Sequence, residues 1–340
     1  MQWIDRDIRI SHKDLMNSLS LIFALAYSAV LSYLPSAAFR DRENYFAYAR
    51  NYEEIFLRYD SFLGKAFNEP LFLAFNYLGR IFFAPEQMPS VFVFIISFSV
   101  SYFVFKSSRN GVMLFFSFVI LLLLPQVFHL QLVTLRQGLA VSMVIWAVLI
   151  TRKEYFIALV ILAAGFVHSS FFIFFVMYIL DVALSGQNYS NRYYLRLFAQ
   201  IMLSLVISIS FIYLAQLLGA RQATAQHLTS GVNVGGGALV LWSFVFFILL
   251  TRSRYYFYQD QTVRLAFIGI LSYLTMYFIS PLAGRFIISF LPFIIAAIVA
   301  KFSYRDVVLV FVIILAGSFS FVDTVKNNSL TPYGVSYFGF

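Results

Sequence analysis

Long apolar stretches, each followed by a short polar break, repeat along nearly the whole chain. A helix that crosses a membrane needs about 20 mostly apolar residues, and residues 15–34 form the first such stretch, after Arg6, Arg9 and Lys13. This stretch exceeds the roughly 7–15 apolar residues of a cleaved signal peptide, so it predicts a signal anchor. The later apolar segments are residues 89–105, 111–128, 136–150, 155–167, 169–184, 197–218, 237–251, 264–280, 285–300 and 306–322.

One long polar stretch, residues 36–68, interrupts this pattern after the first apolar segment. Four of its tyrosines recur at the spacing of one helical face, and they are Tyr45, Tyr48, Tyr52 and Tyr59. This spacing predicts an amphipathic helix over residues 43–59. The segment therefore lies outside the bilayer core.

The charges of the loops favour one orientation for the crossings. Residues 69–84 are short and are interrupted by Asn76 and Arg80, so they are interpreted as a poor span or as an interfacial or re-entrant helix. Suppose that residues 69–84 do not cross the membrane and that residues 155–184 form two helices with a tight turn at His168. More than half of the 24 Lys and Arg residues then lie on the cytoplasmic side. The positive-inside rule favours this arrangement. The pattern thus predicts an all-α, polytopic membrane protein with about 11 crossings and an outer C-terminal tail.

Composition narrows the class of protein further. Of the 340 residues, 61% are apolar and 11% are charged, whereas a soluble domain carries about 25% charged residues. This excludes a soluble enzyme, a nucleic-acid-binding domain and a disordered chain; the net charge of +9 is not concentrated in one basic block. The chain has no cysteine, which excludes disulfides, thiolate metal sites and cysteine nucleophiles. No repeat or second domain is visible, so residues 1–340 are predicted to form a single transmembrane domain.

Arginines at the predicted outer ends of apolar helices are the first candidates for chemistry. Arg136 and Arg285 each open an apolar segment, and neither is needed to orient its helix. Ionisable residues at such positions are functional candidates, and the planar guanidinium binds phosphate oxygens at two points. With Arg40, Arg42 and Arg221 on the same side, they suit a lipid-linked pyrophosphate. The alternative is that the aliphatic part of each arginine lies along apolar surface while its guanidinium reaches the lipid headgroups, with no further function.

Three further side chains are candidate proton acceptors. His168 lies in an otherwise apolar run at the predicted outer turn, where it can act as a base or bind a sugar hydroxyl or phosphate. A structural histidine that bonds to a backbone carbonyl is an equal alternative. Glu69 and Asp41 are outer carboxylates that can accept a proton from a glycosyl acceptor, but each can instead cap a helix or pair with an arginine.

Several short motifs carry a resemblance to a known family. They are RDRENY at residues 40–45, EPLF at 69–72, LRQGLA at 135–140, FVHSS at 166–170, GR at 284–285 and TPYG at 331–334. Their order and spacing cover most of the chain, and the pairing of LRQGLA with FVHSS is the most specific part. The sequence resembles the EpsG-like branch of the Wzy-type repeat-unit polysaccharide (O-antigen) polymerases.

The resemblance implies an integral-membrane glycosyltransferase of the GT-C type that needs neither metal nor cofactor. Donor and acceptor would both be undecaprenyl-pyrophosphate-linked oligosaccharides, joined at the periplasmic face of the bacterial cytoplasmic membrane. The candidate catalytic residues are Arg136, Arg285, His168, Asp41 and Glu69. The candidate substrate-binding residues are Arg40, Arg42, Arg221, Tyr45 and Gln137. Membrane lipids and a chain-length regulator are the further expected partners.

Three other functions stay open at this point. An O-antigen-ligase-like transferase would use the same donor with a lipid A core acceptor. A membrane O-acyltransferase could be built around His168, but it leaves the outer arginines without a role. A lipid-linked sugar transporter would be expected to show charges through the midplane and an internal repeat, and neither is visible.

Overall fold

Helices make up every regular element in the part of the chain that the structure describes. The computed structural model describes residues 12–58, 61–185, 189–217, 236–251, 260–280 and 282–326. The first helices are α1 (His12–Tyr33), α2 (Arg42–Arg50), α3 (Tyr52–Leu57), α4 (Phe62–Phe67), α5 (Pro70–Gly79), α6 (Met88–Ser107), α7 (Gly111–Leu123) and α8 (Pro125–Phe128), with 3-10 turns at Ser36–Ala38 and Pro85–Gln87. A π-helical turn (His129–Val133) follows, and then α9 (Leu135–Ile150), α10 (Glu154–Gly165), α11 (Ser170–Ala183), α12 (Tyr189–Leu217), α13 (Gly236–Leu250), α14 (Gln261–Met276), α15 (Leu282–Val299) and α16 (Tyr304–Lys326).

Length and hydropathy identify membrane-crossing helices among these elements. Five helices are long and apolar enough to cross a membrane, and α7 with Pro125–Val133 makes a sixth if that bent pair is one span. The two halves of that pair meet at an angle of 72°. The other apolar helices, α9, α10, α11, α13 and α14, have between 10 and 17 residues. A helical membrane protein is therefore confirmed, while the number of 11 crossings stays a prediction.

The predicted amphipathic helix over residues 43–59 is two helices rather than one. Asn51 has φ −121° and ψ 34°, outside the helical region, and separates α2 from α3. Its N–H donates to the carbonyl of Ala47, which ends α2, and its carbonyl accepts from the N–H of Ile55, which begins α3. Tyr45 and Tyr48 nevertheless share one buried face of α2. Tyr59 lies outside the described residues.

The ambiguous segment 69–84 contains a single short helix, α5. Its ten residues extend roughly 15 Å, about half of the hydrocarbon thickness. Ile81 and Phe82 follow it and are exposed. This geometry favours an interfacial or re-entrant helix over a crossing one.

The centre of the bundle is formed by α6, α9 and α15. Buried positions make up 83% of the apolar stretch of α15 but only 22% of that of α16, so α15 is central and α16 is peripheral. α15 packs along α14 and against α6, and α6 also packs against α1 and α9. At Gly269 of α14, an added Cβ would lie 2.2 Å from the Cβ of Phe290, so only glycine permits this close helix contact.

An ionic network joins four helices at one end of the bundle. The Arg196 Nη2 atom lies 2.5 Å from both carboxylate oxygens of Asp181, and the Arg264 Nε atom lies 2.9 Å from one of them. Arg264 also pairs with Glu154. Within the described ranges two acids thus pair with two arginines; Asp181, Arg196 and Arg264 are almost fully buried, and the Glu154 side chain is 36% exposed.

We predict that Asp181→Ala strongly destabilises the protein. Removing one member of a buried ion pair leaves an uncompensated charge and costs about 3–5 kcal/mol, and here two arginines lose their shared partner. The measurement is thermal or denaturant unfolding of the purified protein in detergent.

The matched control is Glu86→Ala. Glu86 pairs with Arg50 at 2.7 Å, but both side chains are 56% exposed, so its loss should change stability little. Equal destabilisation by the two substitutions would contradict a special role for the buried network.

Candidate active site

The carboxylate of Glu69 is the point at which three chain segments meet. One of its oxygens accepts a hydrogen bond from Arg136, and the other lies 2.8 Å from Nδ1 of His168. Glu69 and His168 are buried, whereas the Arg136 side chain is 27% exposed. Arg136 therefore joins the buried carboxylate to the protein surface.

The backbone around Glu69 is specialised for this position. Glu69 caps α5 with φ 65° and ψ 49°, in the left-handed region that few non-glycine residues adopt. Such a conformation costs of order 1–3 kcal/mol and persists only where its surroundings impose it. The N–H of Leu71 donates to the carbonyl of Phe166 at 3.0 Å, so the start of α5 is tied to the turn that carries His168.

Arg136 stands in the first turn of α9 and is covered by the tyrosines of α2. Its guanidinium carbon lies 5.3 Å from the centroid of the Tyr48 ring, at the distance of a cation–π contact. Its Nη1 also donates to the Tyr48 hydroxyl at 3.4 Å, and Tyr45 interacts electrostatically with Arg136. Both tyrosine rings pack edge-on against Phe72 of α5, with centroids 6.0 and 5.4 Å away. The outer helix therefore orients Arg136 over Glu69.

Arg285 supplies a second positive charge to the same site. It stands in the first turns of α15, is partly exposed, and interacts electrostatically with Arg136, Glu69 and His168. Its side chain has no hydrogen bond or ion pair with any residue that the structure describes. Among the described residues two arginines thus interact with one carboxylate, which leaves one positive charge without a counter-charge in this part of the chain.

The protonation states of Glu69 and His168 follow from their surroundings. Burial raises the pKa of Glu69, but the Arg136 charge and the hydrogen bond with His168 outweigh burial and bring this pKa to about 2. Burial lowers the pKa of His168 below its usual 6.5, although Glu69 opposes the shift. Glu69 is therefore ionised and His168 neutral near pH 7.

The neutral imidazole of His168 has a defined free nitrogen. Because Nδ1 faces the Glu69 carboxylate, it carries the proton. Nε2 is buried and has no hydrogen-bond partner within the described ranges. This nitrogen therefore has a lone pair available to accept a proton.

Several predicted site residues lie beside this cluster rather than in it. Asp41 is exposed, caps α2 with φ 63°, and is 3.4 Å from Asn44. Arg40 is also exposed. Arg42 is buried, stacks over the ring of Phe39 at 5.4 Å and donates to the carbonyl of Leu132 at 2.5 Å. Arg221 lies outside the described residues.

The amide of Gln137 bonds to protein groups. Its Nε2 donates to the backbone carbonyl of Arg285 at 2.8 Å and to the hydroxyl of Ser289 at 2.6 Å. Ser289, Tyr48 and Phe72 are site neighbours that the sequence analysis did not assign to the site. Helical spacing could have indicated two of them, because Tyr48 lies about one turn from Tyr45 and Ser289 lies one turn from Arg285.

The described ranges contain no group of three His, Asp or Glu side chains placed to hold a metal ion. Metal independence stays a prediction, because this observation concerns only part of the chain. The chemistry that the cluster itself offers is anion binding by guanidinium groups, next to a neutral base.

Fold and site together define an integral membrane protein with a cationic, partly buried site at one end of its helix bundle. The model of the EpsG family matches residues 23–335, nearly the whole chain, so the protein belongs to the EpsG family. The predicted resemblance is thereby confirmed. Membership suggests a glycosyltransferase-type enzyme with a polymerase-like function in polysaccharide biosynthesis. No curated protein sequence and no solved structure matches the chain.

We predict that Glu69→Gln lowers the melting temperature and makes it sensitive to diphosphate. The substitution leaves the mutually repelling Arg136 and Arg285 without a counter-charge among the described residues, and an added dianion would replace the lost carboxylate. Inorganic diphosphate should therefore raise the melting temperature of the variant more than that of the wild type. The measurement is a thermal shift of purified protein in lipid nanodiscs.

Glu86→Gln is the control, because Glu86 belongs to an exposed ion pair on the same outer region. It should respond to diphosphate as the wild type does. A response of Glu69→Gln that is no larger than that of the wild type would argue against an anion site between the two arginines.

Proposed function

We propose that the protein is a repeat-unit polymerase that joins undecaprenyl-pyrophosphate-linked oligosaccharides at the outer face of the bacterial cytoplasmic membrane. The observation that carries this proposal is the grouping of Arg136 and Arg285 around one carboxylate, with a positive charge to spare. Every such donor carries a diphosphate, the kind of anion that paired guanidinium groups bind well. Membership of the EpsG family supports the same reaction class.

The two arginines would stabilise the leaving group. As the bond between the anomeric carbon and the diphosphate oxygen breaks, its electron pair moves to that oxygen and negative charge builds on it. Guanidinium groups already in place stabilise this charge more in the transition state than in the bound substrate. Arg285 has no competing partner among the described residues, so it is the stronger of the two contacts.

His168 would act as the general base. The terminal hydroxyl of the acceptor attacks the anomeric carbon, and its proton passes to Nε2 of His168 as the new glycosidic bond forms. Glu69 holds the imidazole in the required tautomer and stabilises the imidazolium that results. Asp41 is the alternative base and would have to act from the exposed start of α2.

The outer segment, residues 36–68, would bind the sugars. Tyr45 and Tyr48 are buried against Phe72 and Arg136, so they support the arginine while their edges border the site. Arg40, Arg42 and Arg221 remain proposed contacts for the substrate.

The proposal also includes the architecture and the partners of the protein. Residues 1–340 would form a single domain with about 11 membrane crossings and a GT-C-like architecture. Membrane lipids and a chain-length regulator would be further partners.

We predict that Arg136→Ala and Arg285→Ala each abolish chain lengthening without loss of protein from the membrane. The measurement is the glycan ladder of a deletion strain that carries each variant, with membrane levels followed by immunoblot. Arg50→Ala is the control, because Arg50 is an exposed arginine of α2 whose partner is Glu86.

The ladder also separates the proposed function from its alternatives. Loss of long chains with one repeat unit retained identifies a polymerase. Loss of all attached glycan identifies a ligase, and an unchanged ladder with loss of an acyl group identifies an acyltransferase. Full-length polymer in both arginine variants would exclude the diphosphate clamp.

We predict that the rate of polymerisation falls in acid, with a midpoint below the pKa of about 6.5 of an ordinary histidine. His168 accepts a proton only while neutral, and burial holds its pKa below 6.5, so protonation removes the base below that value. The measurement is the pH dependence of the initial rate of the purified enzyme. His168→Gln should lower the rate by about 10²–10⁴-fold and abolish this acid limb. An acid limb that persists in His168→Gln would assign the base to another group.

A further inference from the structure

The side chain of Gln137 links α9 to α15 at the candidate active site. Its Nε2 donates to the carbonyl of Arg285 at 2.8 Å and to the hydroxyl of Ser289 at 2.6 Å, and Gln137 is only 3% exposed. Arg285 and Ser289 lie one turn apart on the same face of α15. The Gln137 amide therefore bonds to two residues that lie one turn apart on α15.

The position of this link relates it directly to the two site arginines. Gln137 follows Arg136 in the chain, and its hydrogen bond ends on the backbone of Arg285 itself. The start of α9 is held firmly, because a Cβ at Gly138 would lie 2.8 Å from both the Ile96 side chain and the Leu130 carbonyl oxygen. A fixed α9 and a short link to α15 together constrain how far apart the backbones of Arg136 and Arg285 stand.

The charges of the site explain why a neutral amide is suited to this link. Arg136 and Arg285 repel each other, so the helices that carry them need a contact that opposes their separation. A carboxylate at position 137 would cancel the spare positive charge, and a cationic side chain would add to the repulsion. An amide supplies the hydrogen bonds and leaves the charge of the site unchanged.

We propose that Gln137 is a positioning residue that sets the separation of Arg136 and Arg285, so that both can grip one diphosphate. Its role is exerted through Arg285, because its amide nitrogen is engaged by α15. This inference rests on the proposed function, in which the two arginines bind the diphosphate of the lipid-linked donor.

The test is a double-mutant cycle on diphosphate affinity. Inorganic diphosphate is titrated into the full-length protein in lipid nanodiscs, for the wild type, Gln137→Met, Arg285→Ala and the double variant. Methionine keeps the size and flexibility of glutamine but cannot donate. Gln137→Met should weaken binding about fivefold or more in the wild-type background and less than about twofold once Arg285 is absent, because the two effects are coupled.

Two further variants guard against a purely structural effect. Ser289→Ala removes one of the two acceptors with little change in volume, so it should weaken binding less than Gln137→Met, again only while Arg285 is present. Gln200→Met is the matched control, because Gln200 is a buried glutamine whose amide donates to the carbonyl of Met177 at 2.7 Å, in α11. It should leave diphosphate affinity unchanged in both backgrounds.

The outcomes separate this inference from the proposed function. If Arg285→Ala weakens binding but Gln137→Met does not, or does so equally in both backgrounds, the positioning role is wrong and the clamp stands. If Arg285→Ala leaves diphosphate affinity unchanged, the clamp itself is wrong, and the role of Gln137 is wrong with it.

Discussion

The pairing of the Glu69 carboxylate with Arg136 and His168 is the interaction on which the candidate active site depends. A buried carboxylate is stable only when opposite charge and hydrogen bonds compensate for its lost hydration, and both partners come from distant segments. The same contact holds Glu69 in a left-handed backbone conformation at the start of α5. One side chain thus brings α5, α9 and the turn before α11 to a common point.

Two buried ionic clusters among the described residues differ in their balance of charge. Around Asp181, two arginines meet two acids; Asp181, Arg196 and Arg264 are almost fully buried, and the Glu154 side chain is 36% exposed. Around Glu69, two arginines share one acid, and the Arg136 side chain is partly exposed. Opposite charges are equal in number in the first cluster, whereas positive charge is in excess in the second, within the part of the chain that the structure describes.

The sequence predicted the class of fold and several members of the site, but not their contacts. Apolar segments of sufficient length predict helices, and isolated arginines such as Arg136 and Arg285 stand out because charge is rare beside such segments. The pairing of Glu69 with His168 joins residues far apart in the chain, which no local pattern can reveal. The break at Asn51 was not predicted, because a single asparagine is compatible with either a continuous or a broken helix. The bend between α7 and α8 was not predicted for the same reason, since the Leu124–Pro125 pair is compatible with both.

The hydrogen bond between Arg42 and the carbonyl of Leu132 has a mechanical consequence for the outer region. Leu132 lies at the end of the π-helical turn, where carbonyl groups lack partners within the helix and the dipole is negative. The Arg42 guanidinium thus binds a carbonyl at the end of the bent pair formed by α7 and residues 125–133, and it ties α2 to that pair. Lifting α2 would strip that carbonyl of its donor in surroundings that hold little water. The hydrogen bond therefore opposes separation of α2 from the π-helical turn, so the first outer helix is anchored to the helix bundle rather than only packed on it.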